Sequence, residues 1–134
     1  MFERINHVGI AVSELDPAIA QYRARFGCEL VERELLEDGA VEAALLRTGE
    51  SCVELVAPLG ADTSLARFIA ERGPSLHHVA YEVDDIDAAL ASLREQEVTM
   101  IDDVPRPGIH GSRIAFVHPS SCMGVLTEIV ELAR

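Results

Sequence analysis

His7-Val8-Gly9-Ile10-Ala11-Val12 and His78-Val79-Ala80-Tyr81-Glu82-Val83 lie 71 positions apart and run in register. The match continues past them. Asp16 falls on Asp87, Ala18 on Ala89, Ala20 on Ala91 and Arg23 on Arg94. Seven of the 17 positions from 7 to 23 are identical to their mates, where chance gives about one. Leu15 over Ile86 and Ile19 over Leu90 keep the apolar pattern. Self-similarity at a fixed offset indicates two copies of one supersecondary unit.

Each copy opens with a short apolar strand, 4–12 and then 76–83. A helix follows, near 16–26 and 86–96. In the first, Asp16 and Pro17 suit a helix start, and Gly27 suits its end. Ile19, Tyr22 and Phe26 recur at helical spacing, as do Ile86, Leu90 and Leu93. Strands are expected at 29–37, 41–48 and 51–57, with a hairpin turn at Asp38-Gly39. In the second copy they are expected at 98–102, 112–118 and 124–131. The order is βαβββ twice, an α+β chain. Residues 62–72 read as a short helix between the copies, opened by Thr63 or Ser64 and ended by Gly73-Pro74. The chain is thus expected to be one domain, 1–134, of module 1–59 and module 76–134 joined by a linker around that helix, 60–75.

Composition bounds what such a domain does. A chain of 134 residues, 49% hydrophobic, can bury one core. No apolar run approaches the roughly 20 residues of a membrane span, and the N-terminus shows no apolar signal segment, so a cytoplasmic protein is expected. The net charge of −12 disfavours nucleic acid and anionic membranes. An anionic ligand would need local arginine or a metal. All 11 basic residues are arginine, which excludes lysine Schiff-base chemistry. Cys28, Cys52 and Cys122 form no CxxC pair and read as reduced thiols.

His7 and His78 open the two copies. The last strand of each carries a Glu flanked by apolar residues, Val53-Glu54-Leu55 and Thr127-Glu128-Ile129. Alternation puts each Glu on the face opposite its neighbours. If the sheets curl around one cavity, two imidazoles and two carboxylates converge, a set suited to one divalent ion such as Co, Mn, Ni or Zn. A single His on an apolar strand is usually a core residue; the matched pairs favour the metal. His77 should point away from His78. His110 and His118 read as surface or structural groups, and Glu82 and Glu131 as residues of solvated faces.

The same stretches resemble the vicinal oxygen chelate (glyoxalase/bleomycin resistance/dioxygenase) superfamily and, within it, the methylmalonyl-CoA epimerases. The resemblance rests on residues 77–86, Val104-Pro105-Arg106-Pro107-Gly108, 111–119 and Gly124-Val125-Leu126-Thr127-Glu128. In the first half it rests on Gly39-Ala40-Val41-Glu42 and 53–59. Two departures are Ser120, where the family often has Lys, and Glu97, where it often has Gly. The resemblance implies curled mixed sheets around one metal-binding cleft, with His7, Glu54, His78 and Glu128 as ligands. It implies Glu42 and Glu128 as the acid/base groups of an epimerase acting on an acyl-CoA thioester, and a homodimer. The rivals are a glyoxalase I-type lyase and a non-catalytic, drug-sequestering binding protein of the same fold.

Overall fold

The structure is a computed structural model and describes residues 1–134. Eight strands and three helices alternate along it: β1 (Arg4–Ala11), α1 (Leu15–Phe26), β2 (Glu29–Leu36), β3 (Val41–Thr48), β4 (Ser51–Pro58), α2 (Ser64–Arg72), β5 (Ser75–Glu82), α3 (Ile86–Glu95), β6 (Arg106–Pro107), β7 (Arg113–Val117) and β8 (Thr127–Glu131). The strands form one mixed sheet in the order β2-β3-β4-β1-β5-β8-β7-β6. No helix is long and apolar enough to cross a membrane.

The chain divides into two compact units, residues 8–77 and residues 1–7 with 78–134. The units do not follow the repeat boundaries: the first seven residues group with the second copy.

In the unit of residues 8–77, β2, β3 and β4 are antiparallel neighbours. Leu15 and Ile19 of α1 are buried with Ala44, Leu46, Leu55 and Ala57 of β3 and β4. Helix α1 begins at Leu15 after Glu14, not after Asp16. Asp16 instead sits in the first turn and pairs with Arg33 of β2. Gly27 closes the helix at φ 67°, a left-handed conformation that glycine adopts without steric cost. The β2–β3 turn uses three successive left-handed residues, Glu37, Asp38 and Gly39.

In the other unit, β5 pairs with β8 in parallel, while β8–β7 and β7–β6 are antiparallel. Ile86, Ala89 and Leu90 of α3 bury against Ala115, Val117 and Ile129. Two side chains cap α3: the Asp85 carboxylate accepts from Ala88 N–H at 3.0 Å, and Glu131 accepts from Ile86 N–H at 2.9 Å. Glu131 is therefore a capping group and not simply a solvated residue. The strand expected at 98–102 is reduced to a single bridge, Met100 to Val117. The Asp102 carboxylate accepts from the Phe116 N–H at 2.9 Å, where a strand would offer a carbonyl.

Candidate metal centre

Strands β5, β7 and β8 set the floor of the centre. Ala80 stands opposite Glu128, and Phe116 stands opposite Glu128 from the other side. Directly opposed residues share a face. Ile129, Ala115 and Val117 point to α3, so Glu128 points away from it, over a face lined by Ala80, Ile114, Val130 and Phe116. His78, two residues before Ala80, shares that face. Its ring meets the Phe116 ring edge-on at 5.6 Å.

His7, His78 and Glu128 converge there and are 3%, 2% and 4% exposed. His7 Nε2 lies 3.1 Å from His78 Nε2. Glu128 Oε2 lies 3.1 Å from His78 Nε2 and 3.7 Å from His7 Nε2. Ligand bonds of about 2.0–2.2 Å place neighbouring donor atoms about 3.0–3.5 Å apart around one ion. The two 3.1 Å separations fit that geometry, and the 3.7 Å separation is slightly wider.

The proton inventory agrees. The Glu82 carboxylate only accepts, so the Asn6 amide turns its NH₂ toward it, at 3.2 Å. Asn6 Oδ1 then faces His7 Nδ1 at 2.8 Å, and His7 Nδ1–H donates. The Nε2 of a neutral His7 is therefore a lone pair aimed at His78 and Glu128. Burial pushes the Glu128 carboxyl up. With a proton shared into the cluster, hydrogen bonds from His7 and His78, and their positive charge, outweigh it and hold the carboxyl at about 2. An ionised carboxylate and a turned-in lone pair at such separations call for a shared cation or proton.

Glu54 is 5% exposed on β4. His7, Glu54 and His78 are all buried residues whose side chains can ligate a metal. Glu42 is placed differently. It stands opposite Ala57, and Glu54 stands opposite Leu45. Residues 42 and 45 of β3 have opposite parity, so Glu42 lies on the α1 face and Glu54 on the other. Arg33 holds both Glu42 oxygens, Nη2 to Oε1 at 3.0 Å and Nε to Oε2 at 3.3 Å, and also donates to Asp16 at 2.6 Å. Hydrogen bonds to Glu42 and then Asp16 raise the Arg33 pKa. Glu42 is thus part of a carboxylate–guanidinium cluster centred on Arg33, and Ala43 is what β3 presents on Glu54's face.

The remaining histidines lie elsewhere. His77 packs edge-on against Phe68 at 4.8 Å. His118 Nδ1 accepts from Ser120 N–H at 3.0 Å, and His110 sits in an exposed 3₁₀ turn. Asn6 and Glu82 are the site residues that sequence reading missed. Their repeat mates are His77 and Ala11, so the repeat carries no signal for them.

Residues 6–116 match the family model described as the Glyoxalase/Bleomycin resistance protein/Dioxygenase superfamily. The mitochondrial methylmalonyl-CoA epimerase of Bos taurus is 36% identical over 127 residues, covering 94% of this chain and 73% of that protein. The ethylmalonyl-CoA/methylmalonyl-CoA epimerase of Cereibacter sphaeroides is 36% identical over 135 residues, covering 98% and 100%. A solved methylmalonyl-CoA epimerase in complex with methylmalonyl-CoA and ammonium superposes with a TM-score of 0.93 at 38% identity, covering 99% of this chain and 96% of that one. The chain belongs to the glyoxalase/bleomycin resistance protein/dioxygenase superfamily, within its methylmalonyl-CoA epimerase family.

Proposed function

We propose that the chain interconverts (2R)- and (2S)-methylmalonyl-CoA by moving the proton at C2 through an enolate. The observation that carries this reading is the buried His7–His78–Glu128 triangle, spaced as ligands of one ion, in a chain that matches epimerases over nearly its whole length. His7, Glu54, His78 and Glu128 would hold one divalent ion, Co, Mn, Ni or Zn. Two imidazoles and two carboxylates are borderline donors that suit all four metals. Bound there, the ion supplies positive charge to the enolate oxygen as it forms.

The protein groups do the rest. The His7 and His78 rings are fixed by their neighbours. Glu128 stays ionised and is the carboxylate on the ligand face that can exchange a proton with C2. Inversion also requires a group on the opposite side of the enolate plane. The resemblance assigns Glu42 that task, and its placement speaks against it: it lies across the sheet from Glu54's face, with both oxygens on Arg33. Glu42 also belongs to the Arg33 cluster, and the Glu42→Gln variant decides between the two roles.

Two tests follow. Incubation with methylmalonyl-CoA in deuterated water should wash deuterium into C2; its absence with metal-loaded protein would sink the epimerase reading. Glu42→Gln should epimerise within a few-fold of the parent rate, because Arg33 and Asp16 remain paired. A loss on the order of 10²–10⁴ in kcat would instead restore Glu42 as a base.

We also propose a homodimer, on the family likeness. Light scattering at micromolar concentration should give twice the 14.6 kDa chain mass. A monomer would overturn this.

A further inference from the structure

The two histidines of the centre are held by different means, and the difference has a chemical consequence. A neutral imidazole carries one proton on either nitrogen, and a metal or a proton can be taken only by the other. For His7 the choice is set at a distance. Glu82, at the end of β5, fixes the Asn6 amide; the Asn6 oxygen fixes His7 Nδ1–H; Nε2 is left as the acceptor. The relay is directional because its last member can only accept. His77, the repeat mate of Asn6, has no such duty and packs against Phe68.

We propose that Asn6 and Glu82 are positioning residues that lock His7 in the Nδ1–H tautomer and so prepare its Nε2 as a ligand. The proposal rests on the metal reading above for its purpose, but not for its test. Groups of this kind, one bond removed from a ligand, typically change metal affinity roughly 10- to 100-fold when lost.

The test has two arms. In metal-free protein at mildly alkaline pH, the ¹⁵N shifts and couplings of the His7 ring report which nitrogen carries the proton. The parent should show Nδ1–H. Asn6→Leu, similar in size but without the acceptor, should shift His7 toward the Nε2–H form that free imidazole side chains prefer. Asn6→Asp keeps an acceptor at the same atom and should retain Nδ1–H. Glu82→Leu frees the amide to rotate and should give a mixture of tautomers. In the second arm, titration with Co²⁺ or Zn²⁺ should show Asn6→Leu weakened roughly 10- to 100-fold and Asn6→Asp close to the parent.

If the parent shows Nε2–H, or if Asn6→Leu leaves the tautomer unchanged, the relay is not what sets it and the proposal is wrong. Should Asn6→Leu fail to fold, Glu82→Leu alone decides by the same ring signals. A protein that shows the predicted tautomers but takes up no divalent ion would leave the relay standing and overturn the metal centre. The two readings therefore fail separately.

Discussion

His78→Ala should abolish retention of a divalent ion. The change removes the nitrogen that sits 3.1 Å from both His7 Nε2 and Glu128 Oε2, which themselves lie 3.7 Å apart. A protein ligand at a buried centre is hard to replace, because geometry and second-layer hydrogen bonds were set for that atom. Elemental analysis after dialysis against metal-free buffer should find the ion in the parent and not in the variant. Unchanged metal content would mean that the ion sits elsewhere. A second consequence concerns acid stability. Glu128 is held at about 2 against burial, which alone pushes its carboxyl up. A depressed carboxylate contributes stability that is present above the ordinary range of about 4.3 and is lost as pH falls through the folded value. In metal-free parent protein that contribution declines as pH falls below about 4.3 and is essentially gone by about pH 2. Without His78 one of its two stabilising partners is gone, so acid unfolding should begin at higher pH. Circular dichroism against pH measures the shift, and an unchanged acid midpoint would show that His78 does not hold Glu128 down.

The fold and the burial of the four candidate ligands were legible in the sequence because both follow from local rules applied twice. Strand alternation and the 71-residue repeat put His7, Glu54, His78 and Glu128 on apolar strands, and all four are buried. What escaped depends on events at a distance. The strand expected at 98–102 is reduced to one bridge, with the bonds of Ile101 N–H to Phe116 O and of His118 N–H to Thr99 O around it, and the Asp102 side chain takes the Phe116 N–H. Helix α1 starts one residue before Asp16, which is drawn to Arg33 of β2. The face of Glu42 was fixed by the turn before it. Three consecutive left-handed residues, 37–39, deliver β3 with Val41, Ala43 and Leu45 on Glu54's side. A one-residue change in that turn would exchange the faces, and no local pattern in 39–42 distinguishes the two outcomes. Asn6 and Glu82 are separated by 76 positions, and their meeting is visible only once β1 and β5 have formed.

Glu128→Gln should separate holding the ion from moving the proton. Glutamine keeps the size of the side chain and retains an oxygen that can ligate, so the centre should still take up metal, with weaker affinity because one negative charge is gone. The amide oxygen is no base at working pH. If Glu128 is the group that exchanges the proton at C2, kcat should fall on the order of 10²–10⁴. A carboxylate held below its ordinary range is a weak base, so its competence depends on the acidity of its partner, and a divalent cation that stabilises the enolate makes the thioester C–H more acidic. Glu54→Gln is the matched comparison. It removes the same charge from a ligand in the other copy and should weaken metal binding to a similar extent, but it should cost far less in kcat at saturating metal. Deuterium wash-in should follow the same order, suppressed in Glu128→Gln and largely kept in Glu54→Gln. Equal losses in the two variants at full metal loading would show that both carboxylates serve only the ion, and the proton at C2 would then have to be moved by a group other than Glu128.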